Sequence, residues 1–155
     1  LDLADFLPAS DEVVGFDLKE HLFMGLILKE KDFREALKHL DWKQYEGKMV
    51  GVHCSVDAII PVWAYMLVAS YLAPMAKIVS KGSPDDLRQQ VMLDRLRHLD
   101  ASRFAAQRVV VKGCGEDPIP EAAYLEITTK LRSSARSIMY GEPCSTVPIY
   151  KEKNG

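Results

Sequence analysis

Short β-branched runs alternate along the chain with longer stretches in which apolar residues return every three or four positions, and this alternation predicts strands and helices in turn. Residues 11–18 read as a short edge strand or extension. From 19 to 40, Leu22, Phe23, Leu26 and Ile27, then Phe33, Leu37 and Leu40, recur at helical spacing. Lys29, Glu30, Lys31 and Asp32 interrupt that apolar face, so two helices are expected to meet near 29–31. Residues 49–54 read as a buried strand ending at a thiol, and 62–72, apolar on every side, as a buried helix entered through Pro61 and ended by Pro74. Residues 76–80 give a second strand. Ser83, Pro84, Asp85 and Asp86 then supply a cap, a first-turn proline and acids that suit the helix dipole, opening a helix that runs to about His98. Residues 108–112 form a third strand, followed by Gly113-Cys114-Gly115. Beyond Pro120, one helical face carries Tyr124, Ile127, Leu131, Ala135 and Ile138, which predicts a long helix ending at Gly141. Residues 1–10 read as an irregular arm and 141–155 as an irregular tail carrying Cys144. No internal repeat and no low-complexity tract is read.

Strands alternating with helices belong to the α/β class. The expected architecture is a single domain over 1–155, three-layered, with a mainly parallel sheet of about three to five strands and helices on both faces. The order 2-1-3 found in flavodoxin-like sheets is favoured for the strands at 49–54, 76–80 and 108–112. That order opens a crevice at the carboxyl ends of the first and third, where such sheets hold ligands.

Composition narrows the function. A net charge of −2 with 27% charged residues gives no basic field suited to a phosphate backbone, so nucleic acid is not an expected partner. The longest apolar stretch, 58–76, contains Pro61 and Pro74 and is read as core, so no membrane is expected either. The first residue is Leu1, the expectation being a trimmed chain or one that has lost a leader. Three cysteines cannot all pair with one another, which favours a reducing cytoplasm and free thiols or metal ligands.

Those cysteines, Cys54, Cys114 and Cys144, each stand where the backbone turns, two of them directly after predicted strands. With order 2-1-3, Cys54 and Cys114 flank the crevice. Strands about 4.8 Å apart are compatible with two thiolates on one tetrahedral zinc, whose bonds are about 2.3 Å. Cys144 would arrive from the tail. The fourth position falls to Asp57 or solvent, since His53 points away from its strand neighbour Cys54. Zinc is the expected ion and an iron–sulfur cluster the alternative. The chain is therefore expected to be a metal-binding protein, its work in metal or cluster handling. Two alternatives stand beside it: a small transferase or hydrolase using a metal-bound water or the Cys144 thiolate, and a structural zinc module that presents a partner surface. The competing reading of all three thiols is as small buried hydrophobes. Trp63 and Tyr65 are read as core packing rather than as a cover over a ligand, and Arg132 and Arg136 as a solvated face near a helix end.

Four runs carry a family resemblance: 25–34 (Gly-Leu-Ile-Leu-Lys-Glu-Lys-Asp-Phe-Arg), 56–66 (Val-Asp-Ala-Ile-Ile-Pro-Val-Trp-Ala-Tyr-Met), 109–114 (Val-Val-Val-Lys-Gly-Cys) and 137–151 (Ser-Ile-Met-Tyr-Gly-Glu-Pro-Cys-Ser-Thr-Val-Pro-Ile-Tyr-Lys). Together they resemble the bacterial domain-of-unknown-function family 2480 over nearly the whole chain. The resemblance implies a small cytoplasmic bacterial protein and favours a protein partner in metal or iron–sulfur cluster assembly. It transfers no role to any residue.

Overall fold

The computed structural model describes residues 1–113, 115–142 and 144–153. The chain belongs to the α/β class, but its strands form two three-stranded sheets rather than one. Contacts divide it into two compact units: Ala9–Arg88, continuous in sequence, and Leu1–Pro8 with Gln89–Gly155. We call them the inserted unit and the split unit.

The inserted unit contains β1 (Val13–Asp17), α1 (Glu30–Lys38), β2 (Met49–His53), α2 (Val62–Leu72) and β3 (Ile78–Lys81). Its sheet has the order β1-β2-β3, all parallel. Because Cβ atoms alternate across a strand, Val50 and Val52 share one face, and there they join Phe33 and Leu37 of α1 with Ala64, Val68 and Leu72 of α2 in one core. Both helices thus cover the same face. This follows from the strand order, since two right-handed crossovers that step in one direction leave their helices on one side of the sheet. The flavodoxin-like order 2-1-3, which reverses direction and puts helices on both faces, is not adopted, and the strand at 108–112 lies in the other sheet.

The split unit contains most of α3 (Pro84–Arg97), then β4 (Arg108–Val111), α4 (Glu121–Leu131), β5 (Ser137–Glu142) and β6 (Ser145–Lys151). β4 and β5 are parallel, and β6 returns antiparallel to β5. The segment Leu1–Pro8 supplies the missing edge. Asp2 bridges Lys112 in parallel, the Leu3 amide donates to the Lys112 carbonyl at 2.8 Å, and Leu3 is fully buried in the core of this unit.

Two expectations fail here for identifiable reasons. The long helix from Pro120 stops at Leu131, where the amide of Ala135 folds back to the Leu131 carbonyl; Ile138, although at helical spacing, belongs to β5. The tail expected to be irregular instead forms β6, held by the Arg132 guanidinium 3.7 Å from the Tyr150 ring centroid. In the stretch 19–40, only the second of two predicted helices forms.

The two units repeat each other, contrary to the expectation of no repeat. The spacing is 59 residues, the separation of Val62–Leu72 from Glu121–Leu131. The cores match along it: Phe33, Leu37, Val50, Val52, Ala64, Val68 and Leu72 correspond to Met92, Leu96, Val109, Val111, Ala123, Ile127 and Leu131. Backbone bonding matches as well. Gly47 donates to Met75 as Ala106 donates to Ser134, and Lys77 to Lys48 as Arg136 to Gln107. Gly47 and Ala106 both adopt left-handed backbone, with φ of 71° and 59°. At the edge, Asp17 and Leu18 correspond to Asp2 and Leu3: each aspartate caps a 3-10 turn, and each leucine is fully buried.

Candidate functional site

The polar side chains of the inserted unit converge at the carboxyl ends of its strands. β2 ends at His53, followed by Cys54 and Ser55. β1 ends at Asp17, whose carboxylate accepts from the Ser55 amide at 3.1 Å, from the Ser55 hydroxyl at 2.5 Å and from the Lys19 amide at 2.9 Å. Burial acts to raise the pKa of Asp17, but the Ser55 and Lys19 hydrogen bonds and the charge of His53 outweigh it and hold the carboxyl below its ordinary value.

β3 ends at Lys81. Gly82 then turns the chain with φ of 135°, and Ser83 opens α3. Ser83 and Asp86 form a reciprocal cap: the Ser83 amide donates to the Asp86 carboxylate at 3.1 Å, and the Asp86 amide donates to the Ser83 hydroxyl oxygen at 3.2 Å. This turn passes directly over β2 at Gly51, where any Cβ would collide with the Gly82 carbonyl oxygen. The helix start is thereby fixed beside the strand ends.

From α2, Tyr65 closes the side of the site. Lys81 Nζ lies 5.8 Å from its ring centroid. Burial, and then the neighbouring Cys54, push the Tyr65 phenol above its ordinary value. His53, Cys54, Ser55, Tyr65, Lys81 and the Ser83–Asp86 turn enclose a cavity of about 630 Å³. It offers hydroxyl groups, an imidazole, an ammonium group and a carboxylate from four separate elements.

The three-cysteine metal centre is overturned. Among the described residues no group of three or more His, Cys, Asp or Glu is placed to hold a metal ion. Cys54 belongs to the inserted unit, half-buried, with its thiol donating to the Val56 carbonyl at 3.3 Å. Cys144 is exposed in the split unit. Asp57 is exposed in the loop after Cys54, and Cys114 lies outside the described residues. The convergence depended on strands 49–54 and 108–112 being neighbours in one sheet, and they are not. With that premise gone, the zinc or cluster role and its hydrolytic and structural variants lose their basis.

The profile of the family described as "Protein of unknown function (DUF2480)" matches residues 1–152. The chain belongs to the DUF2480 family. The DUF2480 match spans both units and both halves of the repeat. No curated protein and no solved structure matches the chain. Among the described residues no helix is long and apolar enough to cross a membrane.

Within this DUF2480 chain, reading the sequence for thiols found Cys54 and missed its polar neighbours. Asp17, Ser55, Lys81 and Ser83 carried a usable signal, because each lies at or just beyond the carboxyl end of a predicted strand. Tyr65, read as core, is half-buried and forms a wall of the cavity.

Proposed function

We propose that the inserted unit binds a small polar molecule through an anionic group, a carboxylate or a phosphate, over the carboxyl ends of β2 and β3. The observation that carries this reading is the convergence of His53, Ser55, Lys81 and Ser83 on one cavity, from two strand ends and the first turn of a helix. Parallel sheets characteristically take ligands at this end. Lys81 supplies the cationic side, and the Ser83 hydroxyl and the His53 imidazole supply hydrogen bonds, while the Ser55 hydroxyl is held by Asp17. The Tyr65 ring gives the remainder of the molecule a flat apolar surface. Asp86 and Asp17 set the selectivity: they repel a second negative charge and favour a ligand with hydroxyl or amino groups around its anionic end.

The test is calorimetric titration of the purified protein with inorganic phosphate, acetate and citrate, alongside the Lys81→Met variant. A charge-assisted hydrogen bond contributes about 1.5–3 kcal/mol, so affinity for the preferred anion is expected to fall roughly tenfold to a hundredfold in the variant. Absence of saturable binding of all three anions to the unaltered protein would overturn the reading.

A further inference from the structure

The repeat places a second cavity where the first would recur. It has a volume of about 270 Å³ and is lined by Lys112, Gly113, Tyr140, Gly141, Glu142 and Ser145. All six stand 59 residues beyond a residue of the first cavity: Lys112 beyond His53, Gly113 beyond Cys54, Tyr140 beyond Lys81, Gly141 beyond Gly82, Glu142 beyond Ser83 and Ser145 beyond Asp86. The position is therefore the same, at the carboxyl ends of β4 and β5, the counterparts of β2 and β3. Resting on the reading of the first cavity, we infer that this second cavity is a distinct binding site for the same class of anionic group, adapted to a smaller ligand.

The substitutions between the two cavities keep the frame and alter the fit. A nitrogen base remains at the strand end, as lysine in place of histidine. The turn after the third strand remains, since Gly82 and Gly141 both hold left-handed φ, of 135° and 111°. The wall between strand and helix remains as well. Lys81 over Tyr65 becomes Tyr140 packed edge-on against Tyr124, with centroids 5.8 Å apart and an interplanar angle of 72°. The place of the Cys54 side chain is taken by the Tyr124 hydroxyl, into which any Cβ on Gly113 would run. Ser145, the first residue of β6, stands where the inserted unit has Asp86 of α3, and closes one side. The narrower space suits a group the size of phosphate or acetate.

The experiment is a set of amide NMR titrations of the whole chain with sodium phosphate, and separately with sodium acetate, at constant ionic strength. The unaltered protein is compared with Lys112→Gln and Lys81→Met, each first checked for an unchanged spectrum away from its own site. Saturable shifts at Gly113, Gly141 and Ser145 are expected, with affinity there reduced at least tenfold in Lys112→Gln and unchanged in Lys81→Met. The anion that produces them distinguishes a phosphate from a carboxylate site. Shifts at Gly82 and Ser83 alone overturn the second site and leave the first standing. Shifts at Gly113, Gly141 and Ser145 alone sink the reading of the first cavity instead, and shifts at neither set sink both. Shifts at Gly113 that persist in Lys112→Gln mean an adventitious ion only and also overturn the inference.

Discussion

His21 is held against the ring of Phe16, stacked with centroids 5.4 Å apart, and meets Phe33 edge-on at 5.7 Å. Burial lowers its basicity, against a smaller opposing effect of Glu20. The consequence for stability has a definite sign. The folded protein prefers the neutral imidazole, so the stabilisation is complete above the ordinary value near 6.5 and declines as pH falls through it. Below the lowered folded value the loss levels off. Urea midpoints measured between pH 5 and 8 should therefore fall on the acidic side, and the His21→Phe variant should flatten that part of the profile. An identical slope in the variant would show that other groups govern acid sensitivity. Nothing local in the sequence marks the aromatic stack that desolvates His21.

At the scale of elements, the repeat makes matched predictions. Leu72 closes α2 and Leu131 closes α4, both fully buried in equivalent cores. Truncation of a buried leucine to alanine costs about 2–5 kcal/mol, depending on how far the cavity collapses. Leu72→Ala and Leu131→Ala should each lower stability within that range, and hydrogen exchange should place the greater loss of protection in β2–β3 for the first and β4–β5 for the second. The parallel strands were legible because their β-branched runs are short and bounded by turn residues, and α2 because it lies between two prolines. β5 was not, since Leu131, Ala135 and Ile138 preserve helical spacing across a real break. The signal that separates them is Ala76-Lys77-Ile78-Val79, a strand entry that recurs 59 residues later as Ala135-Arg136-Ser137-Ile138. β6 was hidden by Pro148, which sits beside the register shift between Ile138 and Met139.

At the scale of the whole chain, the class was readable from the alternation of elements, but the single sheet was not. Its strand order determined where the thiols would stand, and the metal site rested on that order alone. The repeat is hard to read because its matched core positions, five of seven identical and only Phe33 with Met92 and Val68 with Ile127 changed, are dispersed among unlike surface residues, such as Lys43 with Ser102 and Gln44 with Arg103. It is also interrupted, for the edge of the split unit precedes the inserted unit. Leu3 anchors that edge. Leu3→Ala is therefore expected to cost about 2–5 kcal/mol, with hydrogen-exchange protection lost chiefly at Val109–Lys112. A loss centred on β1–β3 would contradict the assignment of Leu1–Pro8 to the split unit.

That interruption imposes an order on biosynthesis. A ribosome releases Leu1–Pro8 long before the strand those residues pair with, whereas Ala9–Arg88 holds every strand of its own sheet in one continuous stretch. The inserted unit is thus the first to become foldable as the chain emerges, while the opening eight residues wait for Arg108–Lys112. Until then Leu3 is a solvent-exposed apolar side chain, and the nascent protein carries an unfinished sheet whose last component was made first.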